Sequence, residues 1–221
     1  MKGIKKFDLE NTNKSEFWFE LGELYSGERY ALNYNSVFKG VEESIDYFKS
    51  NKLMSSYLKI IEVFTTLIKL KLINLNEIEK KGILEFGVGT GYTGHFYKMF
   101  SKKYLGLELH ENSTNFNYFP KENLFIGDGL NYINNSTEKF KFIISFLFGG
   151  ASLMPELYEQ FFQNIEKVMN KDSLIILESD GGTIEHLLKK TFKTNNFQNK
   201  FQLIKMLYTS HTNPVLLIGL K

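Results

Sequence analysis

Ile83-Leu84-Glu85-Phe86-Gly87-Val88-Gly89-Thr90-Gly91 is the most informative part of the chain. A short apolar run carrying a single acid enters three alternate glycines, and a helical pattern follows from about residue 93. Glycine lets the backbone turn sharply and lets a ligand come close. In open α/β sheets, ligands bind at the carboxyl ends of the parallel strands. The stretch therefore reads as strand, ligand-binding turn and helix.

Outward from it, strands and helices alternate. Apolar runs at Gly82–Phe86, Tyr104–Glu108, Leu124–Gly127, Phe140–Phe148 and Ser173–Glu178 read as strands. Helical patterns lie between and after them, at about 93–102, 111–118, 129–135, 155–170 and 183–192. Such alternation predicts βαβ units, a parallel sheet and helices on both faces. Two last strands, Phe201–Tyr208 and Pro214–Leu220, are joined by Thr209–Asn213. A turn that short holds no parallel crossover, so the final strand must run antiparallel to its neighbour. The first 80 residues lack strand signals and show helical spacing near 35–50 and 51–73. We expect a helical or lid extension over residues 1–80 and a ligand-binding core over 81–221, an α/β doubly wound sheet of seven strands.

Composition narrows the function. The chain has 221 residues with 43% hydrophobic and 24% charged, and its net charge is +2. That balance is neither disordered nor membrane-built, and it supplies no basic field for nucleic acid. With no cysteine, disulfide scaffolds, thiolate metal sites and cysteine nucleophiles are excluded. The opening residues lack the apolar core of a secretory signal, and no apolar stretch is long enough to span a bilayer. We expect a cytoplasmic protein acting on a small molecule, with its oligomeric state open.

Two readings fit the glycines. One takes Gly89-Thr90-Gly91-Tyr92-Thr93-Gly94 as a dinucleotide fingerprint, with Glu108, 19 residues past Gly89, as the ribose acid. Glu85 would then stand near a pyrophosphate, where like charge is unfavourable. The other takes Glu85 through Gly91 as one unit, which suits a ligand with a cationic end.

That second unit resembles motif I of the class I S-adenosylmethionine (SAM) dependent methyltransferases, and the resemblance continues down the chain. In that family an acid ending the second strand holds the ribose hydroxyls, and Glu108 matches it. A Gly-Asp pair after the third strand contacts the adenine, matched by Gly127-Asp128-Gly129. The resemblance implies the seven-stranded fold with an antiparallel last strand, SAM as cofactor and S-adenosylhomocysteine as product. It also implies a cofactor site built from Glu85, Phe86, Gly87, Gly89, Thr90 and Gly91, then Glu108, Asp128, Gly129 and Ser145. There are departures. The acid often found near the start of the fourth strand is Lys141 here. No Asn/Asp-Pro-Pro-Tyr/Phe motif follows that strand, which disfavours methylation of adenine or of glutamine amides. The acids of the metal-dependent catechol type are incomplete, so no magnesium site is expected.

The N-terminal segment holds Trp18, Phe19, Tyr25, Tyr30 and Tyr34 together with Arg29, the chain's one arginine. It is either a layer over the sheet or a lid in which Arg29 pairs with the cofactor's carboxylate and Tyr25 lines the site. His95, His110, His186 and His211 read as solvated, and no general base is assigned; methyl transfer is an in-line displacement that needs alignment first. The sequence thus points to a SAM-dependent methyltransferase with a small or medium organic acceptor. An NAD(P)-dependent oxidoreductase, or a SAM-binding protein without methyl transfer, are the alternatives.

Overall fold

The computed structural model describes residues 63–64, 67–68, 70–89, 91, 93–94, 97, 101–111, 121–145, 155–178, 197–207 and 215–221. Their centre is a sheet of strands β1 (Ile83–Phe86), β2 (Tyr104–Glu108), β3 (Leu124–Ile126), β4 (Phe140–Ser145), β5 (Met169–Glu178), β6 (Phe201–Leu207) and β7 (Val215–Leu220). Their order across the sheet is β3-β2-β1-β4-β5-β7-β6. Strands β1 to β5 pair in parallel, while β7 runs antiparallel to both β5 and β6. The expected seven-stranded, mostly parallel sheet with an antiparallel last strand is therefore the observed one. The order reverses between β1 and β4, and that reversal opens a crevice at the carboxyl ends of β1, β2 and β4.

Near-continuous apolar strands bury both faces, as parallel strands require. On one face Leu84, Phe86, Leu107 and Ile143 pack against helix α2 (Gly129–Asn135) through Ile133 and helix α3 (Pro155–Asn164) through Tyr158, Phe161 and Phe162. On the other, Ile83, Phe142, Ile144 and Leu217 pack against the helical residues Val63, Phe64 and Leu67, with Phe64 edge-on to Phe142 at 5.3 Å.

Three boundaries differ from the sequence reading. A helix α1 (Leu75–Lys80) precedes β1 where none was expected. Asn74 and Glu77 form a reciprocal capping box at its start, and Ile78 anchors it in the core. Helix α3 stops at Asn164, whose side-chain amide donates to Gln160 O at 2.8 Å. The chain then tightens into a 3₁₀ turn, Ile165–Val168, so the pattern expected over 155–170 is two elements. Strand β5 starts at Met169 rather than Ser173. The Ser173 hydroxyl donates to Phe140 O at 2.6 Å and accepts from Asn170 N–H at 2.7 Å, across a register shift between β4 and β5.

The helix expected near 35–50, most of that at 51–73, the helix at 183–192, and Tyr25, Arg29 and Thr90 lie outside the described residues. So do His95, His186, His211 and residues 146–154. No helix among the described residues is long and apolar enough to cross a membrane.

Candidate functional site

The glycine turn after β1 takes the shape its sequence requires. Gly87, Gly89 and Gly91 have φ of +69°, +56° and +84°, a region side-chain-bearing residues rarely enter. Gly87 N–H donates to Leu107 O at 2.9 Å, which ties the turn to β2. Gly91 N–H donates to Val88 O at 3.1 Å and Gly94 N–H to Gly91 O at 3.0 Å, turning the chain into the helix that carries Thr93 and Tyr97.

Glu108, the last residue of β2, is half-buried beside this turn. Its Oε2 accepts from Gly89 N–H at 2.8 Å. Its Oε1 accepts from Leu109 N–H at 2.8 Å and His110 N–H at 3.3 Å. The carboxylate is thus fixed at the mouth of the crevice and keeps acceptor capacity on both oxygens.

Glu85 is placed differently. It is 2% exposed, and hydroxyls meet both carboxylate oxygens: Thr93 Oγ1 donates to Oε1 at 2.6 Å, and the Tyr104 hydroxyl donates to Oε2 at 2.6 Å. Gly106 stands opposite Glu85 on β2, so no side chain separates Glu85 from the Tyr104 ring that reaches forward from two residues earlier. Tyr97 stacks on Tyr104 with centroids 4.3 Å apart. Burial pushes the Glu85 carboxyl up to about 7; the two hydroxyl bonds pull it down and the charge of Glu108 adds to the rise. Burial also raises both tyrosines well above their ordinary value, so their hydroxyls stay protonated.

Across the crevice, Asp128 caps α2 by accepting from Leu130 N–H at 2.9 Å, and it remains exposed. Gly127 N–H donates to Glu108 O at 2.9 Å, which brings the β2 and β3 tips together. A Cβ on Gly129 would come within 3.0 Å of the Phe86 ring, so this glycine lets α2 start against the end of β1. The Phe86 ring itself is core, edge-on to Phe161 at 5.3 Å. Ser145 is buried, its hydroxyl 3.4 Å from Phe86 O. Of the expected residues, Gly87, Gly89, Glu108 and Asp128 follow or end the neighbouring strands β1, β2 and β3 at their carboxyl ends, while Glu85, Phe86 and Ser145 are buried.

Four residues not singled out from the sequence belong to this arrangement. Thr93 and Tyr104 complete the Glu85 cluster. Leu109 and Ile126 are 58% and 41% exposed at the tips of the paired strands β2 and β3. Their exposure belongs to the folded chain, and the sheet order sets the two strand tips side by side. Lys141, which departs from the family pattern, sits at the opposite end of the sheet. Its backbone N–H donates to Lys81 O and Gly82 O, and its ammonium binds the Asp172 backbone carbonyl, the Asp172 carboxylate at 3.0 Å and Glu77 at 3.5 Å. It is a structural cation, remote from the glycine turn.

The model of the spermine/spermidine synthase domain matches residues 99–219, more than half of the chain. No curated protein sequence matches significantly. Among solved structures, the chain is similar to a ribosomal protein L11 methylase from Lactobacillus delbrueckii subsp. bulgaricus (TM-score 0.49, 16% identity, 65% of this chain and 71% of that one). A SAM-dependent methyltransferase from Clostridium acetobutylicum gives a TM-score of 0.49 at 10% identity, over 72% and 89% of the two chains. Fibrillarin from Aeropyrum pernix with natively bound SAM gives 0.46 at 12% identity, over 68% and 74%. The chain belongs to the spermine/spermidine synthase domain family, within the class I S-adenosylmethionine-dependent methyltransferases, enzymes whose cofactor is S-adenosylmethionine.

Proposed function

We propose that this protein transfers the methyl group of SAM to a small or medium organic acceptor over the carboxyl ends of β1 to β4. The observation that carries this reading is the Glu108 carboxylate, fixed by Gly89 N–H at the mouth of a crevice walled by positive-φ glycines. A carboxylate so held suits a ribose diol, which would donate to its remaining lone pairs. Leu109 and Ile126 offer apolar surface for a purine, and the exposed Asp128 offers an acceptor for its amino group. The glycine turn leaves room for the amino-acid end of the ligand to run along the backbone.

The cofactor supplies a methyl group on a sulfonium, already activated for displacement. What remains for this chain is to align the acceptor with that methyl and to exclude water. Residues 145–155, Ser-Phe-Leu-Phe-Gly-Gly-Ala-Ser-Leu-Met-Pro, follow the tip of β4 and contain no acid. A polyamine acceptor, which the family's name would suggest, is polycationic and would call for carboxylates there. The aromatic, uncharged composition favours a neutral or weakly charged acceptor instead. The test is incubation with methyl-labelled SAM and cell extract, followed by separation into metabolites, protein and nucleic acid. Label is expected in small metabolites other than polyamines. Label confined to polyamines, protein or nucleic acid, or no incorporation at all, would overturn the reading.

A further inference from the structure

We propose that Glu85 is a positioning residue whose charged form ties both ends of the glycine turn, so that its ionisation tightens the hold on the adenosyl ligand. The inference rests on the SAM-binding reading above and concerns how this chain achieves it. The acid at the end of β1 is sealed from the crevice. Its two oxygens instead join three elements: β1 through its own backbone, β2 through Tyr104, and the first turn of the following helix through Thr93. Between Glu85 and Thr93 lies the whole positive-φ turn, so the cluster fixes both ends of that loop. Beyond the loop, Glu108 fixes its middle through Gly89 N–H.

The ionised carboxylate accepts from both hydroxyls at once. A protonated carboxyl carries a donor on one oxygen, so one of the two bonds must break or reverse. Both hydroxyls donate to Glu85 together only while it is charged; protonation obliges one of them to accept instead and to send its own proton elsewhere in a buried cluster. Burial places the change of charge near neutrality, since Glu85 is pushed up to about 7. Among the described residues, the polar groups facing it are Thr93 and Tyr97 from the helix, Tyr104 from β2 and Glu108 at the end of β2, while β4 presents the apolar Ile144. With both tyrosines held protonated by burial, Glu85 is the group in this cluster pushed toward pH 7. A ligand that requires the charged-form loop expels that proton on binding.

The test is calorimetric titration of S-adenosylhomocysteine from about pH 5.5 to about pH 8, alongside thermal melting of each protein. Wild type is expected to bind several-fold more tightly at the upper end. Glu85→Gln, isosteric and uncharged throughout, should bind weakly with a flat profile. Tyr104→Phe keeps the stacked ring but removes one bond to the charged form, so its midpoint should move to higher pH. A flat wild-type profile, or the same profile in all three proteins, overturns the inference. Absence of binding at every pH would instead contradict the SAM-binding reading itself.

Discussion

The backbone N–H of Gly89 donates to the Glu108 carboxylate at 2.8 Å, joining the middle of the glycine turn to the tip of the neighbouring strand. Two motifs 19 residues apart in sequence are thereby one site. The acid is pre-positioned by the loop, and the loop is held open by the acid.

Removing that acid should act on the ligand more than on the fold. Glu108→Ala is expected to weaken S-adenosylhomocysteine binding by about 1.5–3 kcal/mol, the range for lost charge-assisted hydrogen bonds. Because the side chain is half-buried at a strand end, the melting temperature should change little. Calorimetry and thermal melting on one sample check both; unchanged affinity would make Glu108 only a loop anchor.

Gly89→Val should abolish binding rather than reduce it. A branched side chain is strained at φ +56° and would stand where the ligand's backbone-hugging end must lie. Equilibrium binding of S-adenosylhomocysteine to a variant shown to be folded decides this.

Stability should depend on Glu85 with a definite sign. Its folded value of about 7 lies above the ordinary 4.5, so the native state holds the proton more tightly than the unfolded chain. Stability is then greatest at the acid end of this window and falls as pH rises from 4.5 through 7, by a few kcal/mol from this group. Glu85→Gln should flatten that part of the profile in denaturant titrations. A Glu85→Gln protein with the wild-type slope would show that another group carries it.

Lys141 serves the fold and not the ligand. With its side chain 6% exposed and its ammonium on Asp172 and Glu77, it holds the amino-terminal ends of β4 and β5 against α1. Lys141→Ala should cost about 1–3 kcal/mol in denaturant titration through the lost buried stem and charge-assisted bonds. Affinity for S-adenosylhomocysteine should stay at the wild-type value.

The sheet was legible because both of its signals are local. Alternating apolar runs and helical patterns mark parallel units, and the short segment before β7 forces an antiparallel end. Tyr104–Glu108 and Gly129–Asn135 fall on the expected residues. Helix α1 was missed although Asn74 and Glu77 spell a capping box, because six residues are too few to show an apolar period. The candidate site was legible where the turn depends on backbone geometry, as at Gly87, Gly89 and Gly91 with their positive φ. It was illegible where the arrangement depends on partners distant in sequence. Nothing near Glu85 announces that Tyr104 will reach it across the sheet, and nothing near Leu109 announces Ile126.

The strand ends that carry Gly89, Glu108 and Asp128 are expected to hold an adenosyl amino acid and not a dinucleotide. Thermal melting with each ligand in turn measures this directly, since a ligand bound only by the native state raises the melting temperature by mass action. S-adenosylmethionine and S-adenosylhomocysteine should each raise it in proportion to the logarithm of their concentration, while NAD, NADH and NADP leave it unchanged. A rise with NADH and none with either adenosyl ligand would contradict the account.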